Sequence, residues 1–281
     1  MRLIKFVAFV FLVFFVSETA FAHQPIVVNS TLIEVTNPEV SKGYYGELSG
    51  LPQIYRIQST VDFDLYLNVL VPKSSNPTGR YSLNLYKVGD VKKFIGKIDV
   101  GSTDWKETFE PFGNDTYYQG PEYTDHVSAG TYEVAVHGSS EDVGEYVLAI
   151  GKTEQFGPSE IIHTLLVVPQ LKRDFFHVPA ADFLLSPIGG GCAVLMVMGG
   201  FLSGALLRFV LKKTIVKNVV CNLKNIDRQN RLIRLLAGII CLLIGYYYYI
   251  PFLFALAGFC FYEAIFSWCR VFALMGKNVV N

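Results

Sequence analysis

No cysteine precedes Cys192, and the five present (Cys192, Cys221, Cys241, Cys260 and Cys269) all lie in the last third of the chain. The first 191 residues therefore form no disulfide, although an oxidising compartment would permit one. No CxxC pair occurs, which removes dithiol redox chemistry. Gly-rich phosphate loops, nucleophile elbows and metal-ligand spacings are also missing, so the reading is of a non-enzyme with no cofactor. Acidic side chains almost vanish after residue 182, where Asp227 and Glu263 face ten Lys and Arg. Residues 23–182 are the opposite, with 12 Lys and Arg against 21 Asp and Glu, so the net charge of zero hides a split of −9 and +8. An acidic domain of this kind excludes nucleic acid as its partner.

Long apolar runs are plentiful. Residues 183–207, 232–249 and 252–268 are three, the last two separated by a turn at Ile250-Pro251. The Lys and Arg that follow residue 183 lie at one side of these runs, in 208–234 plus Arg270 and Lys277. The positive-inside rule puts that side in the cytoplasm. The expectation is a multi-pass protein of the cytoplasmic (inner) membrane, with residues 23–182 outside and the C-terminus inside. Its immediate partner is the lipid bilayer. Residues 1–22 combine Arg2 and Lys5, an apolar core and Ala20-Phe21-Ala22, which predicts a secretory signal cleaved before His23. The expected divisions are the signal at 1–22, a β-sandwich at 23–155, and a juxtamembrane connector with a short helix at 156–182. A first membrane helix at 183–211, a basic cytoplasmic loop at 212–230 and a membrane hairpin at 231–278 follow. Ile215 to Leu223, flanked by Lys224, predicts a short amphipathic stretch on the inner surface.

The exported part alternates with a period of two. Phe63, Leu65, Leu67, Val69 and Val71 share one face, as do Tyr81, Leu83 and Leu85, Tyr132, Val134 and Val136, and Tyr146, Leu148 and Ile150. Such short half-buried strands between turn residues predict an all-β sandwich, jelly-roll-like, joined to a three-helix transmembrane region. About 160 residues bury roughly 70% of their unfolded surface and need no disulfide staples. The connector helix is expected at 159–168, with Ile161, Ile162, Leu165 and Leu166 as its apolar side and Pro169, Pro179 and Pro187 as punctuation. The runs Ala129-Gly130-Thr131-Tyr132-Glu133-Val134-Ala135-Val136 and Gly144-Glu145-Tyr146-Val147-Leu148-Ala149-Ile150-Gly151 resemble the last two strands of bacterial pre-peptidase C-terminal-like domains. That resemblance covers about 100 residues and implies a binding or accessory module.

Asn230-Arg231-Leu232-Ile233-Arg234-Leu235-Leu236-Ala237-Gly238, with Glu263-Ala264-Ile265-Phe266-Ser267-Trp268-Cys269 and Ala273-Leu274-Met275-Gly276-Lys277-Asn278, resembles the YgaP-like inner-membrane transmembrane domain. This is a bacterial two-helix module of unknown function. Some relatives fuse it to a rhodanese domain, which has no counterpart here, so sulfur transfer is not implied.

Several residues are candidates for function. Arg231 and Arg234 start a helix at the inner interface and can reach phosphates. Glu263 is an acid inside an apolar span, read as an ion-pair partner of Arg231 or Arg234, with proton or ion handling as the alternative. Cys269 lies beside Arg270 and is weighed as a reactive thiol against a buried structural one. Gly200 and Gly204 form a GxxxG step for close helix packing, against the hairpin or a second copy of the chain. His23 with His126 or His137 is a candidate copper site, set against a frayed terminus. Trp105, Tyr117, Tyr118 and Tyr123, around Gly113-Asn114-Asp115, are candidates for a glycan-binding face, set against aromatics turned into the core. Asp115 and Glu141-Asp142 are weighed for calcium. The function these features point to is a membrane-anchored envelope protein that presents a recognition module to another envelope protein or a glycan. The alternatives are copper handling through His23 and a small transport or redox element around Glu263 and Cys269.

Overall fold

The computed structural model describes residues 23–99, 105–138, 143–214 and 224–275. The expectations for the signal at 1–22, for Glu141 and Asp142, for residues 215–223 with Cys221, and for Gly276-Lys277-Asn278 lie outside these residues. The chain divides into two compact units, residues 1–179 and 180–281.

The first unit contains two β-sheets. One holds β1 (Gln24–Val27), β3 (Lys42–Leu48), β5 (Phe63–Pro72), β8 (Lys106–Glu110), β9 (Asp115–Val127) and β11 (Gly144–Ile150), in the order β1-β3-β11-β5-β9-β8. The other holds β2 (Leu32–Val35), β4 (Gln53–Ser59), β6 (Ser82–Val88), β7 (Lys93–Ile98) and β10 (Gly130–His137), in the order β2-β4-β10-β6-β7. The opening strands β1 and β2 pair parallel with β3 and β4, and the other ladders are antiparallel. The alternating residues of β5, β6, β10 and β11 all point into one core between the sheets. That core is rich in tyrosine, and each buried hydroxyl needs a partner. Tyr55 and Tyr146 hydroxyls lie 2.8 Å apart and Tyr146 donates to Gln53 Oε1. Tyr81 accepts from Asn76 at 2.7 Å, and Tyr132 donates to the Ser128 carbonyl at 2.7 Å.

The segment read as a connector is a seventeen-residue helix, α1 (Pro158–Asp174), with Pro169 inside it. Its buried side carries Thr164, Val168, Leu171 and Lys172, while Ile161, Ile162 and Leu166 are 48%, 60% and 62% exposed. The expected apolar side is thus the outward one. The cause lies in the sheet. The outer face of the six-stranded sheet carries Tyr45, Leu70, Tyr117 and Val147, and these form a second core with Leu171, Phe175 and Phe176. Phe175 meets the Tyr45 ring edge-on at 5.1 Å. Fully burying one such side chain is worth about 1.5–3 kcal/mol, which outweighs the local apolar stripe.

The second unit begins with a 3-10 turn (Ala180–Leu185), followed by α2 (Pro187–Thr214), α3 (Arg228–Tyr248), α4 (Pro251–Phe266) and the short α5 (Arg270–Leu274). Two of these helices are long and apolar enough to cross a membrane, over Pro187–Leu211 and Arg228–Tyr248. The third expected span is shorter than its apolar run. Ser267 takes a left-handed conformation (φ 52°) and closes α4 after sixteen residues. At 1.5 Å per residue α4 is about 24 Å long, less than a ~30 Å hydrocarbon core. Leu206, Phe209, Leu232, Ile233 and Leu243 of the longer helices face outward. Small residues let the backbones of α2 and α4 meet. A Cβ on Gly200 would fall 1.8 Å from the Ala255 carbonyl oxygen, and one on Gly258 would fall 1.9 Å from that of Val197. Gly204 faces the Tyr262 ring in the same way. Both glycines of the GxxxG step are therefore taken up within the chain, and contact between copies through α2 would have to use its other faces.

Candidate functional site

The outer face of the six-stranded sheet is not wholly filled by α1. Between helix and sheet lies a cavity of about 540 Å³, in the range of small-molecule sites. Strands β3, β5, β9 and β11 form its floor through Tyr45, Asn68, Tyr117 and Val147, and α1 contributes Thr164, Val168 and Leu171. The end of β8, the turn after it and the start of β9 add Phe109, Glu110, Phe112 and Asp115, and His23 and Ser41 line it from the β1 side.

Its polar groups are mostly held in place. The Lys172 ammonium, wholly buried, donates to Asp115 Oδ1 at 2.7 Å and lies 5.3 Å from the Phe176 ring centre. Glu110 turns back into its own loop, accepting from the Phe112 N–H at 2.6 Å and the Gly113 N–H at 2.8 Å. Burial raises its carboxyl above the usual range, and those two N–H groups and the Lys172 charge pull it back only in part. Tyr45 and Tyr117 share a hydrogen bond, and burial pushes both hydroxyls far above ordinary phenol values, so they stay protonated. Asn68 donates to the Gly120 carbonyl at 2.8 Å, across the bulge that shifts β9 against β5. Thr164 differs from these groups. Its hydroxyl is buried and has no hydrogen-bond partner among the described residues.

His23 is part of the fold. It precedes β1, and its Nδ1 lies 2.6 Å from the Ser41 hydroxyl. Burial lowers its pKa to about 4, below the ~6.5 of an exposed imidazole. The folded state therefore binds fewer protons than the unfolded chain between those values. Its contribution is present above pH 6.5 and is lost as pH falls toward 4. At 1.36 kcal/mol per unit the loss is roughly 2–4 kcal/mol. Urea unfolding of the full chain in detergent, followed by near-ultraviolet circular dichroism at pH 7.5 and 4.5, should show this extra acid sensitivity. The His23→Gln variant should lose it.

The three histidines do not converge. His23 flanks β1 and His126 lies on β9, four strands away in the same sheet, or about 19 Å at 4.8 Å per strand. His126 is exposed and pairs with Asp64 at 2.7 Å, which raises its pKa, and His137 lies on the other sheet. Among the described residues no group of three or more His, Cys, Asp or Glu is placed to hold a metal. The four aromatics also separate. Tyr117 packs in the core beneath α1, while Trp105, Tyr118 and Tyr123 lie against the core between the sheets. Arg80 sits over both Trp105 and Tyr118, at 5.1 and 4.4 Å. Trp105 and Tyr118 thus share Arg80, and Tyr117 packs in a different core.

The helical unit has a polar knot at one end. Asn225 donates to the Cys269 carbonyl at 2.8 Å and accepts from the Cys269 N–H at 2.7 Å. Arg234 Nε donates to Glu263 Oε2 at 2.8 Å, and its Nη2 lies 2.8 Å from Cys269 Sγ. The Arg270 N–H reaches Glu263 Oε1 at 3.2 Å, and Arg231 donates to the Ala264 carbonyl at 2.9 Å. Asp227 caps α3 through the Asn230 N–H. Residues 223–280 match the family model of the inner membrane protein YgaP-like transmembrane domain. With two helices long and apolar enough to cross a bilayer, this identifies a membrane protein. Within the YgaP-like domain, Glu263 has Arg234 as its ion-pair partner, and Arg231 serves a backbone carbonyl instead. Arg234 contacts both Glu263 and Cys269.

No curated protein matches the chain. Among solved structures, a pre-peptidase C-terminal domain of collagenase from Bacillus anthracis is similar at 12% identity, over 45% of this chain and 94% of that one, with a TM-score of 0.27. A likeness at that level carries no argument about function.

Proposed function

We propose that the protein is a membrane-anchored component of the bacterial cell envelope whose β unit is a recognition module outside the cytoplasmic membrane. It acts by binding rather than catalysis, and three helices, including the short α4, hold it at the bilayer. The observation that carries this reading is the 540 Å³ cavity of the β unit, formed by hydroxyls, amides, carboxylates and rings already positioned by hydrogen bonds. Tethering raises the concentration of such a module at the surface where its partner, an envelope protein or a glycan-bearing molecule, resides. The charge split supports the orientation, because the basic surplus follows residue 207 and the acidic part precedes the first long apolar helix.

The orientation is tested with reporter fusions. Alkaline phosphatase joined after Asp182 should be active and joined after the C-terminus inactive, with green fluorescent protein giving the reverse. An active C-terminal phosphatase would overturn the arrangement.

A further inference from the structure

The charges around the cavity do not balance. Three carboxylates line it, those of Glu110, Asp115 and Glu122, against two ammonium groups, Lys152 in the lining and Lys172 buried behind it. Asp115 is paired with Lys172, and Glu122 lies 3.6 Å from Lys152. Glu110 is left with two backbone N–H groups and, among the described residues, no ion-pair partner. Glu110 is half-buried and the nearby Lys172 is committed to Asp115, so a cation supplied by a ligand would give this carboxylate the counter-charge in contact that it lacks. Its chain neighbours Phe109 and Phe112 line the cavity with it, and aromatic faces attract organic cations. Part of the remaining wall is apolar, through Leu70, Val147 and Leu171. A second observation points to a ligand independently. Thr164 lines the same cavity, and its buried hydroxyl has no hydrogen-bond partner among the described residues, so a small turn of the side chain makes it an acceptor for an N–H group.

We infer that the cavity beneath α1 binds a small organic cation, an amine-bearing molecule with an apolar body, its head against Glu110. This rests on the reading of the β unit as a recognition module and names the class of its ligand.

Three indole probes of similar size separate charge from shape: tryptamine (cation), tryptophol (neutral) and indole-3-acetate (anion). Each is titrated calorimetrically at pH 7 into the full-length protein in detergent. Tryptamine is expected to bind one-to-one and at least tenfold more tightly than tryptophol, with indole-3-acetate weakest. In Glu110→Gln, where the loop hydrogen bonds retain an acceptor oxygen, tryptamine should fall to the tryptophol level. Thr164→Val should weaken tryptamine several-fold without changing the order of the three. Equal binding of all three, binding of none, or a preference for the anion would overturn the inference. So would a tryptamine preference that survives Glu110→Gln. The order on the unmodified protein decides the matter even where a variant fails to fold. Preference for the anion would leave a recognition module with a different ligand, whereas the phosphatase fusions judge the anchored arrangement separately.

Discussion

Replacing Glu263 with Ala should lower the stability of the helical unit by about 3–5 kcal/mol, the usual cost of removing one partner from a buried ion pair. The Glu263 and Arg234 side chains are only 9% and 18% exposed, and their contact is 2.8 Å. Without the carboxylate, the Arg234 guanidinium keeps the Cys269 sulfur and the Phe272 ring but no counter-charge in contact among the described residues, and the Arg270 N–H loses its acceptor. Arg234→Ala should cost a similar amount, because it leaves Glu263 buried and unpaired. The double variant should cost much less than the sum, since each single change already removes the shared contact. Denaturant titration of the purified protein in micelles measures all three. Additive losses, or a loss below 1 kcal/mol for Glu263→Ala, would show that the carboxylate does not hold α3 to α4.

The second large effect is expected at Lys172. It is wholly buried and Asp115 is 8% exposed, so Lys172→Ala strands a carboxylate beside the cavity and should cost about 3–5 kcal/mol of β-unit stability. Lys172→Met combined with Asp115→Leu should recover most of that, because an apolar pair of similar volume avoids desolvating two charges. Urea unfolding followed through the β unit distinguishes the two. If the double variant is as unstable as the single, the charge pair itself is needed, and the β8–β9 turn depends on it for its geometry.

Much of the β unit was readable from period-two alternation, because one core takes every second residue of β5, β6, β10 and β11. The role of α1 was not. Its apolar stripe of Ile161, Ile162 and Leu166 stands out in the sequence, yet the sheet takes the other side, and Lys172 is buried there only because Asp115, far away in sequence, neutralises it. A signal for that cover was present in β11. Val147 and Ala149 are apolar at positions where a one-sided strand would be polar, and both are buried. The end of α4 depends on a left-handed Ser267, which apolar composition does not announce. In the YgaP-like domain the Glu263–Arg pairing was legible from helix ends alone, whereas the Asn225–Cys269 clasp joins positions without a shared periodicity. The cavity is the least legible feature. Glu110 and Thr164 become neighbours of one empty space only when α1 folds back over the sheet.

The two sheets also differ from most open sheets in how they stop. β1 and β2 are four residues each, which gives another chain little length to pair with. At the opposite margins β7 carries Lys93 and Lys97 and is bulged where Ile95 interrupts its register with β6, and β8 carries Lys106, Glu107 and Glu110. Short, charged and bent margins are poor templates for adding a strand. A β unit that folds among many copies of itself is thereby guarded against edge-to-edge aggregation, without a disulfide to hold it.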